Sequence, residues 1–161
     1  MIERLAFGTN AFTDGNWTME DAIYAIAKEG FKAVNILADA PLLWPLPLSR
    51  EKLKSIKDAL KETGLVVSGI NGATCSGYWG NTNMPPGQKF GPCFTDKEQG
   101  LRTLKVGFTK LVIDLAEQLE VQNISILSGY CPDGVSPNRA WKWMKNAIFQ
   151  ALIYAETRRV N

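Results

Sequence analysis

Four short apolar segments, each followed by an amphipathic helical pattern, dominate this sequence. The apolar segments begin near residues 5, 33, 65 and 123. They lack a clean alternation of polar and apolar side chains, which is typical of strands buried on both faces. Strands that alternate with helices indicate parallel pairing through helical crossovers. The sequence therefore predicts an α/β fold in the order β-α-β-α-β-α-β-α.

Capping signals indicate where the helices begin. Thr18 with Asp21 and Thr95 with Glu98 have the spacing of a capping box. Ser136 precedes a proline, which is typical of a helix N-cap followed by its first residue. Strands are predicted near 5–9, 33–39, 65–70 and 123–128, and helices near 18–30, 49–63, 95–119 and 137–157.

Two of the helices have a recognisable pattern of large apolar residues. In the third helix these residues are predicted to form one apolar face. In the fourth helix they recur at helical spacing and identify the segment as a helix. The third-helix face comprises Leu104, Phe108, Leu111, Val112, Leu115 and Leu119, and the fourth-helix residues are Trp141, Met144, Ile148 and Leu152.

Two architectures fit four successive strand-helix units. One is an open, doubly wound sheet, and the other is half of a (β/α)₈ barrel. A complete barrel typically needs ~250 residues, whereas this chain has 161. The final segment, ALIYAETRRVN, has the pattern of a helix end where a fifth strand would be due. Either half of a barrel is missing or the sheet is open.

Composition excludes several classes of function. The net charge is +2 with scattered basic residues, so nucleic-acid binding, which needs a basic stripe, is not expected. No apolar run approaches the ~20 residues of a membrane span, and the N-terminus lacks the features of a signal peptide. Cys75, Cys93 and Cys131 are odd in number and widely spaced. That spacing predicts reduced thiols and a cytoplasmic protein.

The complete absence of histidine limits the possible chemistry. Without histidine the chain cannot form a Ser-His-Asp or Cys-His nucleophile system, and it lacks the commonest metal ligand. Any chemistry must therefore use carboxylates, lysine, tyrosine, cysteine, amides or groups from another chain. The sequence does not identify catalytic residues.

Polar residues at the predicted strand ends are the candidates for substrate binding, because both architectures concentrate function there. Asn10, Asp39 and Asn71 follow the first three strands, and Trp79 lies in a long loop, 72–94, whose length and aromatic content favour a lid or binding loop. Structural roles are the alternative. Asn10 and Asp39 could form turns, Asn71 could satisfy nearby backbone groups, and Trp79 could fill the core.

Four segments resemble one family in the correct order: RLAFGTNAFT, IAKEGFKAVNILADAP, LKSIKDALKETGLVVSGING and DLAEQLEVQNISI. They are similar to the first four units of sugar-phosphate isomerases and epimerases with the xylose-isomerase-like TIM barrel. The resemblance covers nearly the whole chain except the 72–94 loop. It implies a small sugar or sugar phosphate as substrate. It also implies a divalent metal (Mn, Mg, Co or Zn) that polarises the carbonyl while a carboxylate moves the adjacent proton.

The resemblance also implies that the metal ligands begin at the end of a fifth strand, beyond Asn161. We therefore expect residues 1–161 to be one domain, the N-terminal half of a barrel, truncated before strand five, without a metal site and inactive alone. The chain departs from many relatives at Asn35, where they have Glu, and at Leu42, where they have His.

Other outcomes stay open at this point. One alternative is a complete open α/β domain that binds a small ligand or a partner without catalysis. Another is a metal-free deoxysugar or dehydratase-type lyase on the same barrel. A half-barrel would expose two sheet edges and the inner faces of its strands. We therefore expect either poor solubility as a monomer or self-association through those edges.

Overall fold

Strands and helices alternate along the chain in the predicted order. The computed structural model describes residues 5–46, 48–75 and 91–160. A 3-10 helix, Thr9–Phe12, follows the first strand. The strands are β1 (Ala6–Gly8), β2 (Ala33–Leu37), β3 (Val66–Asn71) and β4 (Ile124–Ser125), and the helices are α1 (Met19–Lys28), α2 (Arg50–Thr63), α3 (Gln99–Gln118) and α4 (Pro137–Arg158).

The order of the strands decides between the two architectures. All three pairs are parallel, and the strands lie in the order β1-β2-β3-β4. Crossovers between parallel strands are right-handed, so successive crossovers in one direction place every helix on the same side of the sheet. A doubly wound sheet requires a reversal of strand order, which the described strands do not show. The fold is therefore the predicted half of a (β/α)₈ barrel, and the open doubly wound alternative is wrong.

One face of the sheet packs under the helices and forms the main core. Val34, Ile36 and Ile70 of β2 and β3 are fully buried against Ile23 of α1 and Val112 of α3. Residues that alternate with them point to the other face, as the half-buried Asn35 does. Among the helices that the structure describes, none combines the length and the hydrophobicity needed to cross a bilayer.

Local hydrogen bonds start α1 and α4 as predicted. The backbone N–H of Asp21 donates to Thr18 Oγ1 at 3.1 Å, and the N–H of Thr18 donates to Asp21 Oδ2 at 3.0 Å. These two bonds satisfy amides that the helix itself cannot bond. Ser136 Oγ likewise accepts from the N–H of Arg139 at 3.4 Å.

The capping box predicted for Thr95 and Glu98 is wrong. Helix α3 begins four residues after Thr95, and its N-cap Glu98 makes no side-chain capping bond. Thr95 is buried, and within the described residues its hydroxyl has no hydrogen-bond partner. A turn replaces the box, because Asp96 Oδ2 accepts from the N–H of Cys93 at 2.6 Å. Arg102 then donates to the Asp96 carbonyl oxygen at 2.5 Å.

Helix α4 buries small residues. The large apolar residues that identified it as a helix in the sequence are exposed or only partly buried. Its buried positions are all alanines: Ala140, Ala147, Ala151 and Ala155. Trp141 and Leu152 are 58% and 49% exposed. Met144 and Ile148 pack only partly, against a small separate cluster that contains Phe94. A close approach of α4 to α3 requires small side chains at the contact, which accounts for the alanine stripe.

The outer strands are shorter than predicted. β4 pairs only through Ile124 and Ser125, which lie opposite Ile70 and Asn71 of β3. Among the described strands, nothing pairs with the other side of β4. A strand with one neighbour has hydrogen bonds along one edge only, so its regular pairing ends early.

Replacing Thr18 tests the capping of α1. We expect Thr18→Ala to lower the free energy of unfolding by about 1 kcal/mol, because it removes the capping oxygen from an exposed helix start. Thr157→Ala is the matched control, since Thr157 bonds only the carbonyl oxygen of Tyr154 inside α4, and it should change stability by less than half as much. Equal losses in urea denaturation would contradict the assignment.

Candidate functional site

Hydrogen bonds connect the carboxyl ends of the first three strands, which lie side by side. The N–H of Leu37, at the end of β2, donates to the buried hydroxyl of Thr9 at 2.8 Å. The N–H of Ala38 donates to the carbonyl oxygen of Asn71, at the end of β3, at 2.9 Å. These bonds fix three strand ends in one row. Side chains that follow the strands therefore share one edge of the half-barrel, which we call the carboxyl edge.

Asn10 lies in the 3-10 helix that follows β1, and its side chain is exposed. The side-chain amide folds back over Gly8, into space that a Cβ at position 8 would occupy. Among the described residues other than glycine, only Glu120 and Arg159 have positive φ. The left-handed turn considered for Asn10 is therefore wrong, and its amide is available to solvent at the carboxyl edge.

Asp39 and Asn71 lie at the same edge but differ in their surroundings. Asp39 is only 1% exposed, and its Oδ1 accepts from the N–H of Ala40 at 2.8 Å. Asn71 is the last residue of β3, and its Oδ1 accepts from the N–H of Ala73 at 2.9 Å. The local backbone role considered for Asn71 is therefore present. Trp79 lies outside the described residues.

A buried lysine that sequence reasoning missed lies directly beneath this edge. Lys105 of α3 is fully buried, and its Nζ donates to the carbonyl oxygens of Gly72 and Ala73 at 3.1 and 2.9 Å. It also lies 5.0 Å from the centre of the Phe108 ring, a favourable position for a cation. Burial lowers the pKa of Lys105, and the nearby Asp39 partly opposes that shift. The ammonium therefore anchors the chain where it leaves β3.

A signal for Lys105 was present in the sequence. Lys105 precedes Phe108, Thr109 and Val112 by three, four and seven residues, and all three are buried. Residues at that spacing share one face of a helix. The prediction placed Leu104 on this face instead, but Leu104 is 41% exposed. A lysine at the helical spacing of buried residues therefore indicates a buried charge whose partners lie elsewhere in the fold.

Two of the three thiols lie near Lys105 and are protected from solvent. Cys75 and Cys93 are buried, whereas Cys131 is exposed. Burial raises the pKa of Cys75 to about 12 and that of Cys93 to about 11. Both thiols are therefore protonated at neutral pH, and neither is a ready nucleophile.

The described residues do not fit a divalent-metal site. In the parts of the chain that the structure describes, no three His, Cys, Asp or Glu side chains converge. Asp39 is one carboxylate at the carboxyl edge, and it is buried. Catalytic metals in proteins are held by several deprotonated ligands. No catalytic step is therefore assigned to a metal held by these residues.

The two departures from the family pattern occupy different environments. Asn35 points to the open inner face of the sheet, and its Nδ2 lies 3.3 Å from the place of a Cβ on Gly69. Leu42 is buried in the main core. The inner face of the sheet therefore carries the neutral amide of Asn35 at a position where the resemblance implies a negatively charged carboxylate. Leu42 does not supply a base.

A large cleft lies at the opposite end of the sheet. It measures about 560 Å³ and is formed by the ends of α2 and α3 around Val66, at the start of β3. The amino ends of barrel strands contribute to stability, whereas the carboxyl ends contribute catalysis. We therefore place the candidate site at the carboxyl edge on chemical grounds.

Comparison with known proteins identifies the family. The sequence model of the xylose isomerase-like TIM barrel family matches residues 23–161. The chain belongs to this family. Its members include sugar isomerases and epimerases, so the resemblance seen in the sequence is confirmed. A search of curated proteins found no match.

Solved structures show the same fold at low sequence identity. A putative xylose isomerase from Rhodospirillum rubrum is 15% identical, with a TM-score of 0.74 over 99% of this chain and 52% of that chain. The 3-keto-D-glucoside 4-epimerase from E. coli is 14% identical, with a TM-score of 0.69 over 98% and 54%. The D-psicose 3-epimerase from Clostridium cellulolyticum, solved with D-tagatose, is 17% identical, with a TM-score of 0.66 over 97% and 50%. The chain spans about half the length of each.

Thiol labelling tests the burial of the cysteines. In the native protein at neutral to mildly alkaline pH, we expect only Cys131 to react rapidly with a disulfide reagent such as DTNB. Burial and the raised pKa values of Cys75 and Cys93 leave almost no accessible thiolate. All three thiols should react after denaturation. Cys131→Ser is the control and should abolish the rapid phase, and rapid reaction of all three native thiols would contradict the structure.

The pH dependence of stability tests Lys105. Because folding lowers its pKa, the unfolded chain binds more protons between the lowered pKa and the ordinary value near 10.4, and stability rises with pH in that window. Relative to Lys105→Met, the wild type should therefore gain stability as the pH rises from neutral toward 10.

The raised pKa values of Cys75 and Cys93 have the opposite effect on stability above pH ~8.5. Both thiols are present in each variant, so their contribution largely cancels in the difference. Urea denaturation across the pH range measures the difference between the two variants. A difference that does not change with pH would show that folding does not lower the pKa of Lys105.

Proposed function

We propose that this chain forms one half of a sugar-binding barrel of the isomerase and epimerase type. In this proposal residues 1–161 act as a single domain whose carboxyl edge lines one wall of the substrate pocket. The observation that carries the proposal is family membership together with the position of Asn10, Asp39 and Asn71 on three adjacent strand ends. Trp79 completes the proposed set from outside the described residues.

The chemistry of these groups suits a polyhydroxylated substrate. A carboxylate accepts hydrogen bonds from hydroxyl groups, and an amide both donates and accepts. Asn10 is exposed and has the greatest freedom to meet a ligand, whereas Asp39 is buried beside the edge. The Asn71 oxygen is already engaged with Ala73, so its NH₂ group is the one left to donate to a sugar.

Lys105 supports this wall from below. Its two hydrogen bonds hold the carbonyl oxygens of Gly72 and Ala73, while the N–H of Gly72 donates to the carbonyl oxygen of Ser125 at 2.8 Å. The backbone beyond Asn71 is therefore fixed from two directions. A fixed backbone reduces the entropy that a binding residue loses on contact with its ligand.

Proton transfer needs groups beyond this half of the barrel. In a complete barrel, a divalent metal such as Mn, Mg, Co or Zn would polarise the sugar carbonyl. The described residues do not form such a site, so we propose that the isolated chain does not turn over a sugar. A phosphate group on the natural substrate and a cytosolic location remain predictions from the sequence.

Sugar binding by single variants tests the proposed wall. D-tagatose and D-fructose, the sugars present in solved relatives, serve as probes in calorimetric or NMR titrations. We expect Asn10→Ala and Asn71→Ala each to weaken binding about tenfold, the cost of one lost polar contact of ~1.4 kcal/mol. Gln118→Ala, which removes an exposed amide at the far end of α3, should leave binding unchanged.

The same experiment has clear negative outcomes. Equal weakening by Gln118→Ala would show that the effect is not local to the carboxyl edge, and absence of binding to either sugar would contradict the proposal. Incubation of the purified chain with each sugar and with Mn²⁺, Mg²⁺, Co²⁺ or Zn²⁺ should yield no epimer. Detected product would refute the inactivity of the isolated chain.

A further inference from the structure

A single peptide group connects the buried Lys105 to the side chain of Asn71. This group joins Gly72 to Ala73, so it carries the Gly72 carbonyl oxygen and the Ala73 N–H. Lys105 Nζ donates to that oxygen at 3.1 Å, and that N–H donates to Asn71 Oδ1 at 2.9 Å. The C=O and the N–H of a trans peptide point in opposite directions. The lysine and the Asn71 amide therefore bind opposite ends of one dipole.

Gly72 allows the lysine to reach this peptide group. A Cβ at position 72 would lie 3.0 Å from both methyl carbons of Val112 on α3, which is a tighter contact than such atoms usually make. Val112 follows Lys105 by seven residues and therefore lies on the same face of the helix. The absence of a side chain at Gly72 thus brings the end of β3 against the helix face that carries the ammonium.

Further contacts hold both ends of this chain of hydrogen bonds in place. Lys105 Nζ lies 5.0 Å from the centre of the Phe108 ring and also donates to the carbonyl oxygen of Ala73 at 2.9 Å. At the other end, the backbone carbonyl oxygen of Asn71 accepts from the N–H of Ala38 at 2.9 Å. The charge and the backbone that carries the amide are therefore fixed relative to each other.

The NH₂ group of Asn71 is the free end of this chain of hydrogen bonds. Asn71 follows the buried Ile70 in β3, so its side chain points to the opposite, inner face of the sheet. In the part of the chain that the structure describes, the Asn71 oxygen is engaged and its NH₂ group is left to donate. Hydrogen bonds in series polarise one another, and the ammonium polarises this series from its other end. The NH₂ group is therefore a strengthened donor.

We propose that Lys105 is a positioning residue that orients and polarises the Asn71 amide toward an acceptor oxygen of the sugar. The inference rests on the proposed function, because it concerns a residue of the same sugar-binding wall. It adds the direction of the contact, since Asn71 donates to the ligand and the sugar supplies the lone pair. Lys105 itself does not touch the ligand and acts through the peptide group between Gly72 and Ala73.

The NMR signals of the Asn71 side chain test the polarisation without any sugar. Lys105→Met should move the NH₂ proton resonances of Asn71 upfield from their wild-type positions, because the amide is less polarised without the cation. Lys105→Arg retains the positive charge and should keep these resonances near the wild-type positions. The side-chain amide of Gln118, at the far end of α3, is the control and should not shift. Unchanged Asn71 resonances in Lys105→Met would overturn the inference and leave the proposed sugar-binding wall unaffected.

Titration with D-tagatose tests whether the polarised amide acts on the ligand. Lys105→Met should weaken binding about threefold, near the lower end of the coupling between contacting residues, and should have no further effect in a chain that already carries Asn71→Ala. Additive losses would overturn the positioning role, because they would show that Lys105 acts independently of Asn71. Absence of D-tagatose binding to the wild type would contradict the proposed function alone, since the NMR shift is measured without a ligand.

A milder variant keeps the test informative where Lys105→Met prevents folding. Gly72→Ala retains the lysine but requires the end of β3 or Val112 to move by a few tenths of an ångström, which lengthens the hydrogen bond to Lys105. The Asn71 NH₂ resonances should again shift upfield. Gly100→Ala is the matched control, because a Cβ at position 100 meets nothing within 4 Å. Asn71 resonances that are the same in both alanine variants would overturn the inference.

Discussion

Coverage of only one face of the sheet is the physical constraint from which the rest of this structure follows. Val34, Ile36 and Ile70 are buried beneath the helices, while Asn35 and its neighbours point to the open side. Four strands in sequential order place all helices on that one face. Among the described residues no helix covers the other face, which is then available as the inner wall of a barrel, and β1 and β4 each have one unpaired edge within that part of the chain.

This one-sided packing explains the chemistry of the carboxyl edge. The helices bring buried groups up to the strand ends from outside, as Lys105 shows by bonding Gly72 and Ala73. The charge that stabilises these carbonyl oxygens is itself costly to bury, and its pKa falls accordingly. The backbone that carries the polar side chains at the strand ends is therefore fixed. Such a backbone holds binding residues more precisely than a mobile loop does.

The same packing leaves apolar surface exposed at both ends of the described sheet. Trp141, Phe149 and Leu152 of α4 are exposed near β4, and an apolar groove lined by Phe7, Phe12 and Phe31 lies beside β1 at the other end. Catalysis in this family's barrels is distributed around the ring, and the described residues supply only one side. The described residues by themselves therefore bound a pocket that is open along half its circumference and does not exclude water.

The sequence by itself determined the features that depend on residues a few positions apart. The order of strands and helices, the capping box of Thr18 and Asp21 and the start of α4 at Ser136 all arise from local periodicity and short hydrogen bonds. The location of the candidate residues at one edge followed as well, since parallel strands share a carboxyl end.

Only the tertiary structure decided the features that depend on distant partners. Lys105 is buried because its hydrogen-bond acceptors lie 32 and 33 residues away in the sequence. Helix α4 buries alanines because it packs closely against α3. Thr95 does not cap α3, because the chain there forms a turn in which Asp96 Oδ2 accepts from the N–H of Cys93. Periodicity shows that a helix has two faces, but the neighbour that packs against it decides which face is buried.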